Sequence, residues 1–583
     1  MRCRLVNRNI RNNYTIELLK ERGLIDKEID YFLNVPDDSY LQSPENLNNM
    51  DKAAGLFNEI TKMSSKERIV VVVDSDVDGF TSAAIFIQYL RNFNPEIQIT
   101  PILHKGKGHG LSDTIDVILE EYNNNPNIKA VILPDAGSND YEYHEQLGNF
   151  GIRSLMFDHH IVEPDTQFSD WAIIVNNQLS ESYLNKNLCG AGVTWQFCRY
   201  YDAIQNTTYA NELIDLAALG IVSDMMSMLE LENRYIVHTG FSNITNYFFE
   251  ALCEKQSFSM GGKVNPMTVA FYITPLINAM IRAGAQEEKQ RCFEAFIDGH
   301  RMVESHKRGA KGTLEELAVE SARECTNARA KQNRILDKAV EELEAKIFKY
   351  DLLENKILFI RLDEEDFPPE LNGLCAMKLA AKYKRPTIVA RLNDEGEIKG
   401  SLRGLNDSAL VSFKDFLDNS GLTTFTAGHA NAAGVGILNK NLANLHEYAN
   451  KELADIDFGE TWYEVNFERI AMDRDIIDII YDISEHEDVW GQHNPTPLIH
   501  VKDINITRND IRVMGKLNDT VRIEKNGVIY IKFHAKDMIE ELKKYDEIKL
   551  EIVGKANLNE YMGNYTAQIF IENYQIEDGA LGF

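Results

Sequence analysis

Between residues 68 and 245 the chain alternates short apolar runs with segments of helical spacing. The runs are "RIVVVVD" (68–74), "KAVILPD" (129–135), "RSLMFD" (153–158) and "AIIVNN" (172–177). Apolar runs of this length, separated by helices, predict the strands of a parallel sheet buried on both faces. Upstream, "TIELLKERGLID" carries apolar positions at helical spacing, and residues 15–60 read as short helices. Residues 260–350 also read as helical, with a charged, Ala-rich stretch at 314–348 that suits a long connector. A second α/β pattern opens at about 355 with "NKILFIRLD" and runs to about 455. From about 490 the pattern turns all-β. There "TVRIEKNGVIYIKF" (520–533) sets Asn526-Gly527 between two alternating runs, a strong hairpin signal. An antiparallel sheet or small barrel is expected at the C-terminus.

The ends of the strands carry the chemistry. In an open parallel sheet, ligands bind beyond the carboxyl ends of the strands. Three of the runs end in Asp: Asp74, Asp135 and Asp158. The first continues as "DSDVDG", with Asp74, Asp76 and Asp78 at alternate positions before Gly79. Like charges so close repel unless a cation lies among them. The same pattern opens an EF-hand calcium loop, but that loop needs a bidentate Glu at its twelfth position. Here that position is Ile85, and the preceding segment reads as a strand. "DHH" adds His159 and His160 to Asp158. One imidazole can bind metal while its neighbour orients it or faces the substrate. "ALGIVSDMM" adds Asp224. Carboxylates with imidazole suit Mn²⁺ or Mg²⁺. Their number points to two ions, an arrangement that activates water and stabilises a leaving oxygen in phosphoester hydrolysis.

Composition narrows the class. The chain has 583 residues and an ordinary soluble balance, 44 % hydrophobic and 26 % charged. Seven scattered cysteines without a C-x-x-C pair argue against a disulfide framework or a structural zinc site, and fit a reducing cytoplasm. The apolar stretch "MTVAFYITPLINAMI" (267–281) is too short to span a membrane, and no signal peptide is read. A cytoplasmic protein without membrane contact is expected. The net charge of −29 argues against non-specific binding to nucleic acid. Local basic stretches stand against that sum: "HKGKGH" (104–109), "HKRGAKG" (306–312), "RAKQNR" (329–334) and "KYKR" (382–385). Each alone reads as solvated surface.

Taken in order, "DSDVDG", "PDAG", "DHH" and "GIVSD" resemble the four acidic motifs of the DHH phosphoesterase superfamily. Further segments resemble its RecJ-type exonucleases: "LCGAGV" (188–193), "ENR" (232–234), "PLINAMIRAG" (275–284), "GSLRG" (400–404), "GHANAAG" (428–434) and "GQHNPTP" (491–497). The resemblance covers nearly the whole chain. It implies an α/β protein: an N-terminal helical segment (1–60), a parallel-sheet DHH catalytic domain (61–250), a long helical connector (251–350), a second α/β domain, DHHA1 (351–456), and an OB-like nucleic-acid-binding domain (457–583). The implied activity is metal-dependent 5′→3′ degradation of single-stranded DNA to 5′-mononucleotides, in repair and recombination. A phosphodiesterase of short oligonucleotides or small nucleotides, and a non-catalytic scaffold, are the rival readings.

The resemblance also assigns residues. Asp74, Asp76, Asp78, Asp135, Asp158, His159, His160 and Asp224 fall on metal-site positions, with Asp135 as the bridging carboxylate. It leaves open whether Asp78 touches an ion or supports those that do. His429 and Gly428 belong to the second-domain signature, near the scissile phosphate. Ser401 and Arg403 match positions for a terminal 5′-phosphate, and Arg282 matches a phosphate- or DNA-contacting Arg. In the C-terminal region Tyr530, Phe533, Lys516, Arg522 and Lys532 are candidate strand contacts. Two departures fall at the substrate end. His104 stands roughly where the family has Arg, with His109 in place of a Tyr, and Ala427-Gly428 replaces a double Gly. A monomer is expected, with single-stranded DNA as substrate and a single-strand-binding protein or a helicase as partner.

Overall fold

A computed structural model describes the chain apart from residues 7–9, 106–107, 311, 363–366, 407, 562 and 578–583. It divides into two compact units. One comprises Leu24–Lys331 with Glu487–Pro495; the other comprises Met1–Gly23, Gln332–His486 and Thr496–Phe583. The segment expected as one helical piece at 1–60 is therefore shared between them. Its first residues, Arg2–Leu5, form a strand parallel to Trp462–Val465. "GQHNPTP", expected to lead into the C-terminal domain, contributes its first residues to the other unit: Met228 N–H donates to the Gln492 carbonyl at 2.9 Å.

The first unit is built on five parallel strands, in the spatial order Gln98–Leu103, Arg68–Val73, Ile128–Pro134, Arg153–Asp158 and Ala172–Asn176. The four predicted strands all form. Each central strand divides its residues between two cores, which is why it reads as an unbroken apolar run. Ile69, Val71 and Val73 pack on one face with the helices, while Val70 and Val72 pack on the other. The unpredicted strand, Gln98–Leu103, lies at the sheet edge and contains Pro101. Proline lacks a ladder N–H, and an edge strand tolerates it. Helices Val77–Phe93 and Gly190–Gln205 cover one face, and Ile214–Ser223 packs on both of them.

Residues 260–350 are helical with one exception. Met302–Glu304 and Leu314–Glu316 pair antiparallel, and the basic run 306–312 is their connection, Lys311 lying outside the described residues. The connector is a helix of 33 residues, Leu317–Lys349.

Besides the pair Arg2–Leu5 and Trp462–Val465, the second unit holds two larger sheets. The first is mixed, in the order Thr423–His429, Ala432–Leu438, Glu397–Arg403, Thr387–Leu392, Leu358–Leu362. The second has seven strands and spans 467–577. The expected hairpin is present, with Asn526 at φ 52° and Gly527 at φ 80°. The C-terminal region is not purely β: helix Lys536–Leu542 interrupts it. Among the described residues no helix is long and apolar enough to cross a membrane.

"ENR" proves to be a fastening. Glu232 accepts hydrogen bonds from Tyr183, Asn185 and Gln196 in the core. Arg234, 1 % exposed, donates to the Phe32 carbonyl and pairs with Asp488 at 2.6 Å. Burial opposes charge on Asp488, but hydrogen bonding from His238 and the charge of Arg234 outweigh it and hold its carboxyl well below the usual range. Removing Asp488 strands a buried guanidinium. Asp488→Ala should therefore cost about 2–3 kcal/mol, less than a fully buried pair because Asp488 is partly solvated. The depressed carboxyl gives stability that is present above the ordinary carboxylate range and fades as pH falls through the folded value. Urea unfolding at pH 7 should show the loss, and the gap between parent and variant should narrow in acid.

Candidate metal centre

All five strands run the same way, so their carboxyl ends share one edge. Asp74 and Asp135 directly follow their strands, and Asp158 ends its own. Asp224 caps the C-terminus of helix Ile214–Ser223 and meets the same place. His159 marks the centre. Its Nε2 lies 3.2 Å from Asp135 Oδ1, 3.4 Å from Asp224 Oδ2 and 3.9 Å from Asp78 Oδ2. Potential ligand atoms fall into three overlapping groups: Asp74, Asp76 and Asp135; Asp78, His159 and Asp224; Asp135, His159 and His160.

The surroundings show why each residue type is needed. Gly79 N–H donates to Asp76, which caps helix Val77–Phe93. A Cβ on Gly79 would lie 2.5 Å from Asp74 Cβ, so only glycine lets the helix start there. Asp78 is buried and accepts N–H groups of Gly190 and Ala191, at 2.7 and 3.0 Å, at the start of helix Gly190–Gln205. Asp135 is held at φ 71°, an uncommon conformation for a residue with a side chain.

Asp158 has a different job. Its Oδ1 accepts His159 N–H at 2.7 Å and His160 N–H at 3.2 Å, and lies 2.8 Å from His160 Nδ1. Its Oδ2 accepts Ser138 N–H at 3.0 Å. Burial alone would raise its carboxyl, yet the His160 contact and the neighbouring donors hold it below the usual range. Asp158 sits in none of the three ligand groups. It orients the two histidines.

The donor set fits divalent cations. Asp74 Oδ1, Asp135 Oδ1 and Asp224 Oδ2 are buried oxygens with no hydrogen-bond partner. Burial first, and neighbouring carboxylates second, push Asp135 well above the usual range, Asp224 to about 8 and Asp76 to about 6. A cation among them would offset both effects and favour the charged form of all three. Burial lowers the proton affinity of His159, leaving a neutral imidazole suited to ligation.

Residues 68–221 match the DHH family N-terminal domain, and residues 471–573 match the RecJ OB domain. YorK from the SPbeta prophage of Bacillus subtilis, whose name assigns it single-strand DNA-specific exonuclease action, is 36 % identical over 577 residues, covering 97 % of each chain. The chain belongs to the RecJ family of DHH proteins. RecJ of Bacillus subtilis is 24 % identical over 579 residues, covering 97 % of this chain and 68 % of that one. The crystal structure of RecJ with Mn²⁺ from Thermus thermophilus shares the fold, with a TM-score of 0.71 at 18 % identity over 99 % of this chain and 80 % of that one.

In this RecJ-family chain the second-domain residues gather on one sheet. Arg403 and His429 both pair with Ala432, from opposite sides, and Ser401 pairs with Gly434. Directly paired residues share a face, so Arg403 and His429 flank one point. Gly428, at φ 128°, pairs with Ala433. A Cβ on Gly373, in the first turn of helix Asn372–Tyr383, would fall 2.6 Å from Arg403 Nη2 and 3.6 Å from Ser401 Oγ. Arg403 and Ser401 thus stand at a helix N-terminus, which favours anions.

Some candidates take other roles. Tyr530 is a core residue of the C-terminal sheet, not an exposed stacking surface. Lys532 donates to the Glu572 carbonyl at 2.9 Å, and Arg522 pairs with Glu524 at 2.9 Å. Phe533 remains open, 55 % exposed. Arg282 feels the charge of Asp76. His104 is buried with both ring nitrogens unpartnered, 3.6 Å from Asp74 Oδ1.

His109, which stands in place of the family's Tyr, neighbours the site directly. Its Nδ1 lies 3.0 Å from Asp74 Oδ2, and this contact first of all raises its pKa to about 9. Its ring also meets that of His160, centroids 4.6 Å apart. The signal was present in "HKGKGH", whose Gly106 and Lys107 lie outside the described residues. Ser138 and Asn176 were unassigned. Asn176 Nδ2 donates to Ser138 Oγ and to the His160 carbonyl, fixing the loop that carries both histidines.

Gly190 tests the packing of the centre. Its Cβ would lie 2.5 Å from Asp135 Cβ and 2.7 Å from Asp135 Cα. Gly190→Ala should destabilise the protein by roughly 1–3 kcal/mol through overpacking. It should also weaken Mn²⁺ binding in titration calorimetry, because Asp135 is the group displaced. Parent-like stability and Mn²⁺ affinity together would contradict this geometry.

Proposed function

We propose that this chain is a metal-dependent exonuclease that degrades single-stranded DNA 5′→3′ to 5′-mononucleotides, in repair and recombination. The observation that carries this reading is that the unpartnered buried oxygens of Asp135 and Asp224 meet at His159, with Asp74 in the adjoining ligand group that shares Asp135. Asp74, Asp76, Asp135, His159 and Asp224 would hold two Mn²⁺ or Mg²⁺ ions. Asp78, tied to two backbone N–H groups, supports this set and closes its rim. When bound, the ions lower the pKa of a water and offset charge on the phosphate oxygens.

The protein's own groups do the rest. Asp158 fixes His160 through Nδ1, so the imidazole presents Nε2 toward the substrate. Burial works against charge on His160, but the Asp158 contact prevails and raises its proton affinity. That makes Nε2 a good donor to a non-bridging phosphate oxygen. Ser401 and Arg403, beside a helix N-terminus, hold a terminal 5′-phosphate. His429 and the glycine at 428 contact the adjoining phosphate. The domain roles follow the same reading: 61–250 for hydrolysis, 351–456 for the strand end and 457–583 for holding the strand. The names and identity of the prophage relative support the substrate class.

The test is a single-turnover digest of 5′-phosphorylated, 3′-labelled single strands with Mn²⁺. The expected result is mononucleotides released from the 5′ end. Asp135→Ala should lose at least about 10³-fold in rate, as loss of a group central to charge stabilisation does. The variant should also lose Mn²⁺ affinity while keeping its thermal transition. Release from the 3′ end would overturn the polarity. Undiminished turnover in Asp135→Ala would overturn the assignment of the centre. A strong preference for dinucleotides over long strands would replace the exonuclease with a small-substrate phosphodiesterase.

A further inference from the structure

The segment 266–283 has a feature that the acidic motifs do not use. Asn265 caps its start, and residues Val269–Ile273 then form a π-helical turn before helix Thr274–Ala283. Turns of this type are rare and occur often at functional sites. This one places two large aromatic residues in solvent, Phe271 at 64 % and Tyr272 at 40 % exposure.

The burial pattern along the following helix is one-sided. Thr274, Leu276, Ile277, Ala279, Met280 and Ile281 are buried. Pro275, Asn278 and Arg282 are not. With Phe271 these residues recur at helical spacing, so they form one stripe. The stripe runs from exposed rings, past the half-buried Asn278, whose Oδ1 is buried without a hydrogen-bond partner, to the half-buried Arg282. The π turn also packs against helix Ile214–Ser223, which ends in Asp224. Helix Thr274–Ala283 packs against helix Val77–Phe93, which Asp76 caps, so the stripe lies beside the metal centre within the same unit.

We infer that this stripe is a track for the single DNA strand, with bases stacking on Phe271 and Tyr272 and the backbone passing Asn278 to Arg282. The inference rests on the exonuclease reading and specifies how the centre receives a strand. Three observations select this occupant. The exposed groups at the far end are flat rings, which stack on any base. The near end carries a cation beside a site for phosphate. The length fits a polymer: eleven helical residues span roughly 16 Å, about five stacked nucleotides. A mononucleotide-sized substrate would meet Arg282 but not the rings.

The test uses the full chain with Mn²⁺ and 5′-phosphorylated 20-mers, each carrying one abasic site at a successive position from the 5′ end. In the parent, an abasic site about three to five nucleotides in should weaken binding by about tenfold, the scale of one lost stack. In the double variant Phe271→Leu, Tyr272→Leu, intact strands should bind about tenfold more weakly, and the abasic penalty at that position should vanish. Phe271→Trp with Tyr272→Trp should restore both, because a planar ring and not bulk is required. Thermal melting reports whether each variant is folded, and the tryptophan pair serves where the leucine pair is not. An abasic penalty equal in parent and leucine variant, or affinity unchanged in that variant, would overturn the track while leaving the exonuclease intact. A parent that neither binds nor degrades single strands would overturn both.

Discussion

The constraint on which the rest depends is the common direction of five strands. A parallel sheet sends every strand's carboxyl end to one edge, and here those ends carry Asp74, Asp135 and Asp158. Asp76, Asp78 and Asp224 are drawn to the same region. Without compensation this would be among the least stable arrangements a sheet edge could have. The protein answers part of the charge with backbone N–H groups. Asp76 takes one at the start of Val77–Phe93, and Asp78 takes two at the start of Gly190–Gln205. Helix N-termini carry partial positive charge, so two of the carboxylates are held by the fold itself. Asp158 is answered by donors of its own loop and by Ser138. Oxygens of Asp74, Asp135 and Asp224 are left unanswered; those of Asp135 and Asp224 meet at His159, and Asp74 joins Asp135 in the adjoining ligand group.

The glycines of the motifs have the same origin. Helices that begin against carboxylates must come very close to them. Gly79 faces Asp74 and Gly190 faces Asp135 at two such starts, and Gly220, near the end of Ile214–Ser223, faces Asp78, each with less room than a methyl group requires. "DSDVDG" and "LCGAGV" are thus two sides of one packing problem, though more than a hundred residues separate them.

Much of this was legible in the sequence because it follows from local pattern. Apolar runs doubly buried by two cores predicted the central strands, and their terminal Asp residues predicted the site. What stayed hidden depended on partners distant in the chain. Gln98–Leu103 is paired on one side only, so its pattern was too weak to read. Asp158 looked like a ligand because it ends a strand, and only its hydrogen bonds reveal an orienting role. His109 could be read only as a replacement for the family's Tyr, since its contact with Asp74 joins residues 35 apart in the chain. Tyr530 looked like a stacking ring because alternation cannot say which face of a strand is covered.

The acidity of the chain then takes on a different meaning. A net charge of −29 opposes a polyanion at long range, and salt screens that repulsion within about 10 Å at ordinary ionic strength. Binding must then come from short-range terms. Stacking on exposed rings is one such term, since it does not depend on net charge. A helix N-terminus beside Arg403 is another, because its field falls off within a turn. The cations are the third, as they reverse the sign of the site at the point where phosphate must approach. Each acts only on a strand already in place, so an acidic body rejects nucleic acid that cannot reach them. A duplex, whose bases are paired and stacked on each other, offers nothing to the rings. On this argument the excess of acid sharpens the choice of a single strand rather than contradicting it.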